Sequence, residues 1–262
     1  MAWLQDIVLA ACPADYTDER VKLTHAYDGD TVTLEDGRRI RLIGINTPEL
    51  GRDGHRDEPY AIAARDQLRR LLRLHDNTLL LRHDIEKRDR YGRQLSHAYF
   101  ENGNSVAAEL LGAGLATTMI VPPNTRTVQC YLEIEDWARK TGIGLWNTPA
   151  FRTHQSANLT HRTRGYRIVR GRIENVTTGR DAIHIDLEGP LVVRINRDDM
   201  DIFPNISREL LAGSLVETRG WIKHRRGNLY LQARHPAALR IYPDRAESKP
   251  PGHKQTVDPR TR

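Results

Sequence analysis

Two aspartates and three charged residues that follow them carry the chemistry that this sequence could perform. Asp28 and Asp30 flank a single glycine, so an extended backbone would project both carboxylates to one side, as a cation site requires. Arg41, Glu49 and Arg93 follow along the chain. Phosphodiester hydrolysis needs a base that activates water and positive charge that offsets the extra negative charge on the five-coordinate phosphorus. A carboxylate, a hard divalent cation and two arginines meet those needs.

Each of these motifs has a plainer interpretation when it stands alone. A DGD sequence is often a solvated turn, an arginine on a strand usually faces water, and the YGR around Arg93 is typical of an ordinary hairpin tip. Their joint occurrence in one chain is what favours a phosphodiesterase.

The local sequence predicts how these side chains are positioned. The Asp-Gly pair at 36–37 joins two strand candidates, and because both residues tolerate positive φ, a tight hairpin would fold Arg41 back towards the aspartates. A proline directly before Glu49 restricts the backbone there and gives the carboxylate a defined direction. Arg93 lies at the tip of a second hairpin-like unit. Base, arginines and cation site are therefore expected to converge.

The motifs and their spacing together resemble the staphylococcal nuclease (thermonuclease) family. DGDT is followed by Arg41 ten residues later, by TPE six residues after that, and by DRYGR some forty residues further. ARKTGIGLW is similar to the family's last helix and closing tryptophan. The resemblance extends from about Val21 to Trp146 and implies an OB-fold barrel there. It also implies endonucleolytic cleavage of DNA and RNA on the 5′-oxygen side, which leaves 3′-phosphates.

The resemblance implies a site for one Ca²⁺ ion. Asp30 would be the direct carboxylate ligand, with Asp28 nearby in support. Asn46 and the backbone carbonyl of Thr47 would complete the protein's share of the ligands, an all-oxygen set that suits calcium.

The resemblance also implies the catalytic and substrate-binding roles. Glu49 would be the general base that takes a proton from the attacking water. Arg41 and Arg93 would bind the phosphate oxygens, and Arg93 would also assist the leaving oxygen. Arg90 is available for a terminal phosphate, and Tyr91 for stacking on a base.

Two departures from the family pattern affect these expectations. The best-known members carry an aspartate where this chain has Asn46, so the cation should bind more weakly or a different ion should be preferred. They also carry tyrosines near the positions of Met119 and Val121, so base stacking within this domain is reduced to Tyr91.

Length and sequence pattern indicate a mainly β protein with helices (α+β) and two domains. We place a nuclease-like OB domain at 21–147, a linker rich in polar residues at 148–164, and an OB-like β-barrel domain at 165–242. The last assignment depends on five strand candidates with a short helix at 206–211 between the third and fourth, the order of an OB-type barrel. A small unrelated β domain has the same spacing. The tail 243–262 has almost no apolar residues, which predicts disorder.

The N-terminal segment 1–20 and the two cysteines bear on localisation. The apolar start ends in small residues, like a secretory signal, but lacks a basic region; a truncated signal and a short, poorly ordered terminus are equal alternatives. A lipid anchor at Cys12 is less favoured. Export would favour a disulfide between Cys12 and Cys130, whereas a reducing cytosol would leave two thiols. The sequence contains no apolar run long enough for a transmembrane helix.

The sequence thus predicts a calcium-dependent endonuclease that acts on DNA and RNA, with single strands preferred, and that is a monomer. A periplasmic or secreted location is expected, with the cytoplasm as the alternative. The competing hypothesis is a non-catalytic nucleic-acid-binding protein built from nuclease-like and OB barrels, but the presence of Arg41, Glu49 and Arg93 argues against it.

Charge alone supports a nucleic-acid partner only weakly. The chain has 40 Lys and Arg against 34 Asp and Glu, a net charge of +6. Basic residues of the second domain suggest either a nucleic-acid face or, equally, an ordinary solvated face. They are Arg170, Arg172, Arg194, Arg219, Lys223, Arg225 and Arg226.

Overall fold

Five strands of the first domain close into a barrel. The structure is a computed structural model that describes residues 12–51, 54–203, 206, 210–225 and 227–242. The strands of this domain are β1 (Glu19–Ala26), β2 (Thr31–Leu34), β3 (Arg39–Leu42), β4 (Gly44–Asn46), β5 (Thr78–Arg88), β6 (Gln94–Tyr99) and β7 (Thr117–Met119). The barrel order is β1-β2-β3-β6-β5, and β4 pairs with β7 in a separate two-stranded sheet.

The β2–β3 hairpin forms as its sequence predicts. Gly37 takes a φ of 84° and its N–H donates to the Leu34 carbonyl at 3.0 Å. The turn sets a register in which Thr31 lies opposite Arg41. On its other side β3 runs parallel to β6, with Arg41 opposite Leu95. This long-range pairing brings the start of β6, and with it Arg93, to the same end of the barrel.

Within the described ranges, three helices cover the first barrel: α1 (Ala61–Leu74), α2 (Val106–Gly112) and α3 (Val128–Thr141). Helix α1 buries one apolar face, on which Ala61, Ala64, Leu68, Leu71 and Leu72 recur at helical spacing. Ser105 caps α2 by accepting a hydrogen bond from the Ala108 N–H at 3.3 Å. Among the described residues, no helix has the length and apolar character needed to span a membrane.

A disulfide ties the start of the described chain to α3. Cys12 and Cys130 are bonded, with Cα atoms 5.9 Å apart and a sequence separation of 118 residues. Cys12 packs in the core of the first domain. Residues 1–11 of the N-terminal segment, with the proposed signal remnant, lie outside the described residues, as does the tail 243–262.

Reduction of this disulfide is expected to destabilise the protein. A bond that closes a loop this long restricts the unfolded chain strongly, so its loss should lower the free energy of unfolding by about 2–5 kcal/mol. Urea unfolding with and without dithiothreitol measures the difference. A Cys12→Ser/Cys130→Ser double variant is the control, and it should not respond to reductant; equal stability of the wild type in both conditions would contradict the expectation.

The second domain is also a closed five-stranded barrel. Its strands are β8 (Thr153–Gln155), β9 (Gly165–Thr178), β10 (Ala182–Leu187), β11 (Leu191–Asn196), β12 (Leu215–Arg225), β13 (Asn228–Gln232) and β14 (Leu239–Tyr242). The sheet order is β14-β12-β13-β11-β10-β9-β8, and pairing of β12 with β9 closes the ring. The predicted class, mainly β with helices and two successive barrels, is confirmed. The helix predicted at 206–211 lies largely outside the described residues.

The segment 148–164, which its polar composition predicted to be a linker, is structured. It contains the 3-10 helices Pro149–Phe151 and Ser156–Asn158, and β8 pairs in parallel with β9. Phe151, Ser156 and Leu159 are buried. The segment therefore belongs to the packed part of the molecule, because three of its side chains are buried. The average composition of the segment does not indicate these three positions.

Helix α3 joins the two barrels. Glu135 is fully buried on α3, and its carboxylate accepts hydrogen bonds from Arg219 of β12 and from the Thr118 N–H, the latter at 2.9 Å. Arg139 of the same helix bonds Glu217 at 2.9 Å. Trp146, the closing tryptophan of the family resemblance, packs in a cluster that both domains share. Its buried members are Ala138, Leu145, Trp146, Phe151, Tyr166 and Ile168.

Candidate active site

The two aspartates lie at the bend between β1 and β2. The backbone there is bent, so the expected strand alternation does not bring them together; instead Asp28 Oδ1 accepts a hydrogen bond from the Asp30 N–H at 3.0 Å. Both side chains are buried. Gly29 is needed between them, because a Cβ atom would lie 2.7 Å from Thr47 and 2.8 Å from Ala64 of α1. Helix α1 thus packs closely against the segment from Asp28 to Asp30, which we call the acidic bend.

The two aspartates differ in how well the protein compensates their negative charges. The pKa of Asp28 is raised, chiefly by burial and then by the negative charge of Asp30. Asp30 has more partners, since its Oδ2 accepts from the Thr47 N–H at 2.9 Å and from the Thr47 hydroxyl at 3.1 Å. Asp30 is therefore the fixed member of the pair, and Asp28 the one whose charge is poorly compensated.

Arg41 is a buried arginine whose donors are held by the backbone and by Asp30. Its Nε lies 3.1 Å from Asp30 Oδ1, and its Nη1 donates to the carbonyl of Leu42 and to that of Ile45, the latter at 3.1 Å. These contacts fix the guanidinium at the edge of the acidic bend, with few rotamers available to it.

Arg93 reaches the same place from the β5–β6 hairpin. Its Nε donates to Asp89 Oδ2 at 2.7 Å, and its Nη1 lies 3.3 Å from the Thr31 hydroxyl. That hydroxyl donates to Asp30 Oδ1 at 3.2 Å. Burial raises the pKa of Asp89, but the hydrogen bonds and positive charge of Arg93 outweigh it, so the net shift is downward. The structure thus links Arg93 to Arg41 through Thr31 and Asp30.

Glu49 leaves the end of β4 beside the aspartates. Its side chain is exposed, its N–H donates to Glu58 Oε2 at 3.0 Å, and its carbonyl accepts from the Glu58 N–H at 2.9 Å. The pKa of Glu49 is raised by partial burial first and then by the charges of Asp30 and Asp28, while Arg41 opposes the shift. Glu49 therefore lies within the electrostatic field of the aspartates and Arg41, accessible to water and more basic than an ordinary glutamate.

The remaining predicted ligands border the acidic bend. Asn46 is buried on β4, where it lies opposite Thr117 of β7, and Thr47 is held by Asp30. Within the described ranges, no group of three His, Cys, Asp or Glu side chains could hold a metal. The available donors are two carboxylates, an amide oxygen and a carbonyl oxygen, from Asp28, Asp30, Asn46 and Thr47. These hard oxygens fit a divalent cation, which would also offset the two causes that raise the pKa of Asp28, burial first and then the charge of Asp30.

Arg90 and Tyr91 form the exposed tip of the β5–β6 hairpin. The Arg90 guanidinium lies 4.7 Å from the centroid of the Tyr91 ring, and that of Arg93 lies 5.6 Å from it. Tyr91 is 68% exposed, so much of its ring is accessible to a ligand. Neither residue contacts the aspartates; both border the site on the side of Arg93.

Three further residues of the site were not predicted from the sequence: Thr31, Glu58 and Asp89. Thr31 bridges the aspartates to Arg93, Asp89 orients Arg93, and Glu58 fixes the backbone of Glu49. Thr31 and Asp89 lie inside the DGDT and DRYGR motifs, so their place in those motifs was the available signal. Glu58 lies beyond a loop and had no such signal.

The geometry defines the class: an OB-type barrel that carries two arginines, an acidic bend and an accessible glutamate at one end. Residues 39–148 match the family described as staphylococcal nuclease homologue. The first domain belongs to the staphylococcal nuclease family. The match contains Arg41, Glu49 and Arg93 and begins after Asp28 and Asp30.

Similar proteins carry nuclease names. The chain is 29% identical over 135 residues to the thermonuclease of Staphylococcus intermedius, and the alignment covers 50% of this chain and 79% of that protein. It is 30% identical over 143 residues to endonuclease YncB of Bacillus subtilis, covering 53% and 66%. It is also 30% identical to the SPbeta prophage-derived endonuclease YokF of Bacillus subtilis, of which it spans 47%. These likenesses support a hydrolase that acts on phosphodiester bonds.

Proposed function

We propose that this protein is an endonuclease that hydrolyses DNA and RNA, with Glu49 as general base and Arg41 and Arg93 as phosphate-binding residues. The observation that carries the proposal is the continuous set of contacts from Arg41 through Asp30 and Thr31 to Arg93, beside the accessible carboxylate of Glu49. Two fixed guanidinium groups at one end of a barrel suit a phosphodiester, whose oxygens accept paired N–H donors.

In the proposed reaction, Glu49 takes a proton from a water molecule as the water oxygen forms its bond to phosphorus. Arg41 and Arg93 offset the negative charge that grows on the non-bridging oxygens. The bond from phosphorus to the 5′-oxygen breaks, and the leaving oxygen, stabilised by Arg93, takes a proton from solvent water, while Glu49 returns its proton to solvent. Preorganisation is important, because Asp30 and Asp89 hold the arginines before substrate arrives.

We further propose that one Ca²⁺ ion binds at Asp28, Asp30, Asn46 and Thr47. When bound, such a cation supplies Lewis-acid stabilisation of the phosphate. Asn46 contributes no negative charge, so affinity should be modest.

Cation dependence is the direct test of the function. Cleavage of a labelled single-stranded DNA should stop in excess EDTA and return with calcium. Asn46→Asp adds a charged ligand and should lower the half-saturating calcium concentration on the order of tenfold, whereas Asn102→Asp, at an exposed turn, should not change it. Absence of cleavage with every divalent ion tested would favour the non-catalytic nucleic-acid-binding protein instead.

Location, strand preference and assembly belong to the same proposal. The Cys12–Cys130 disulfide supports a periplasmic or secreted protein, because such bonds persist in oxidising compartments. The exposed ring of Tyr91 supports a preference for single strands, whose bases are free to stack. We propose a monomer as the working unit, since the first domain by itself carries the residues named for the reaction.

A further inference from the structure

A cleft of about 180 Å³ lies between the two barrels. One wall is the stretch from Thr118 to Val121, which belongs to the first domain. The other wall comes from the second barrel and carries Tyr166, Trp221, Lys223 and Arg234. Side chains of both domains therefore face one space that neither domain forms alone.

The first-domain wall starts at the active site. Thr117 pairs with Asn46 in the β4–β7 sheet, and the chain then runs into the cleft. Met119 lies two residues further, which is roughly 7 Å along a strand. A polymer bound at the site could thus continue into the cleft over a short distance.

The second wall is also connected to the catalytic region. Tyr166 is buried, and this burial is the main reason that its pKa is raised to about 12. Thr117 of the first domain is one of the residues near its hydroxyl. The next residue, Arg167, interacts electrostatically with Glu58, the residue that bonds the Glu49 backbone. Tyr166 and Arg167 thus lie near Thr117 and Glu58, each of which forms a hydrogen bond with a residue of the site.

The chemistry of the cleft fits a single strand of nucleic acid. Trp221 is 41% exposed, and the buried Tyr166 ring supports it edge-on at 5.3 Å between centroids. Lys223 projects from the same side of β12 and has no ion pair within the described part of the chain. Arg234 is half exposed, lies 3.7 Å from Asp199, and donates to the Pro122 carbonyl at 3.4 Å. An exposed aromatic ring beside cations is the arrangement that binds stacked bases and phosphates.

Two of the basic residues listed for the second domain are paired with glutamates and are not available to bind phosphate. Arg219 is buried against Glu135, and Arg170 bonds Glu217 at 2.8 Å. These residues join the domains, so the cations of the cleft lining that stay accessible are Lys223 and Arg234.

We propose that this cleft binds a nucleotide of the substrate strand beyond the cleaved bond, with its base stacked on Trp221 and its phosphates near Lys223 and Arg234. The proposal rests on the proposed nuclease function. It assigns to the second barrel the role of extending the substrate-binding surface, and it supplies an aromatic platform next to Met119 and Val121.

The test compares substrates of two lengths. Trp221→Ala should raise KM for a 12-nucleotide single strand about five- to 100-fold, with kcat unchanged, because a base–aromatic stack is lost. Hydrolysis of a dinucleotide, which is too short to reach the cleft, should not change. Trp221→Phe should restore most of the affinity. Trp137→Ala, at an exposed tryptophan of α3 outside the cleft lining, is the matched control.

A second variant tests the phosphate contact without altering the aromatic ring. Lys223→Glu should weaken binding of the 12-mer in EDTA, measured by fluorescence anisotropy, whereas Lys140→Glu on α3 should not. Equal affinities of the wild type, Trp221→Ala and Lys223→Glu for the 12-mer would overturn the proposal, as would an equal loss in the Trp137→Ala control. Binding that depends on Trp221 in a protein that cleaves nothing would instead overturn the nuclease function and leave the cleft as a binding site.

Discussion

Glu49→Gln is expected to lower kcat for cleavage of single-stranded DNA by about 10²- to 10⁴-fold, the usual contribution of a general base. The amide cannot accept the water proton, yet it keeps the size of the side chain and the backbone bonds to Glu58. Affinity for an oligonucleotide, measured by anisotropy in EDTA, should stay close to that of the wild type.

A control variant and the pH dependence of activity also test the role of Glu49 as general base. Glu133→Gln, at an exposed position of α3, should leave kcat unchanged. Since the pKa of Glu49 is raised and the deprotonated form is the active one, activity should fall as pH decreases through a value above the ordinary one for glutamate, 4.5. Unchanged turnover of Glu49→Gln would refute the assigned role.

Arg41→Lys is expected to lower kcat by about 10²- to 10³-fold, because a lysine keeps the charge but loses the fixed fork of donors. The lysine also cannot reproduce the bonds from Arg41 to Asp30 and to two backbone carbonyls. The free energy of unfolding should therefore fall by about 1–3 kcal/mol. Steady-state kinetics and urea unfolding measure the two effects.

Arg93→Lys separates catalysis from stability. Arg93 is only partly buried and its carboxylate partner lies on the same hairpin, so the lysine should lower kcat to a similar extent with a change in stability below about 1 kcal/mol. Arg73→Lys, at an exposed position of α1, is the control. Wild-type kcat in both Arg41→Lys and Arg93→Lys would exclude the arginines from the reaction.

Local sequence rules predicted the parts of the fold that depend on neighbours in the chain. The Asp-Gly turn at 36–37 and the apolar stripe of α1 follow from backbone tolerance and helical periodicity, and both are present. The parallel pairing of β3 with β6 joins segments more than fifty residues apart. No local rule predicts that register, although it is what places Arg93 beside Thr31.

The site shows the same limit at the level of single side chains. The motif residues Asp30, Arg41, Glu49 and Arg93 could be named from the sequence, and so could the hairpin that returns Arg41 towards the aspartates. The contacts that hold Asp30 and Arg93 could not. The aspartates are brought together by a bend and not by strand alternation, and Thr31 makes the bridge. The inter-barrel cleft was also not predicted, because its walls come from distant segments and only packing brings them together.

The buried pair of Glu135 and Arg219 restricts how the two barrels can be separated or exchanged. Removing one partner of such a pair typically costs 3–5 kcal/mol, a large share of the 5–15 kcal/mol that stabilises a typical domain. A first barrel without its companion would also expose Trp146 and Ala138. Loss of the second barrel would therefore require compensating substitutions along α3. The two barrels should accordingly be inherited together. Transfer of either barrel to another protein should fail unless α3 is redesigned.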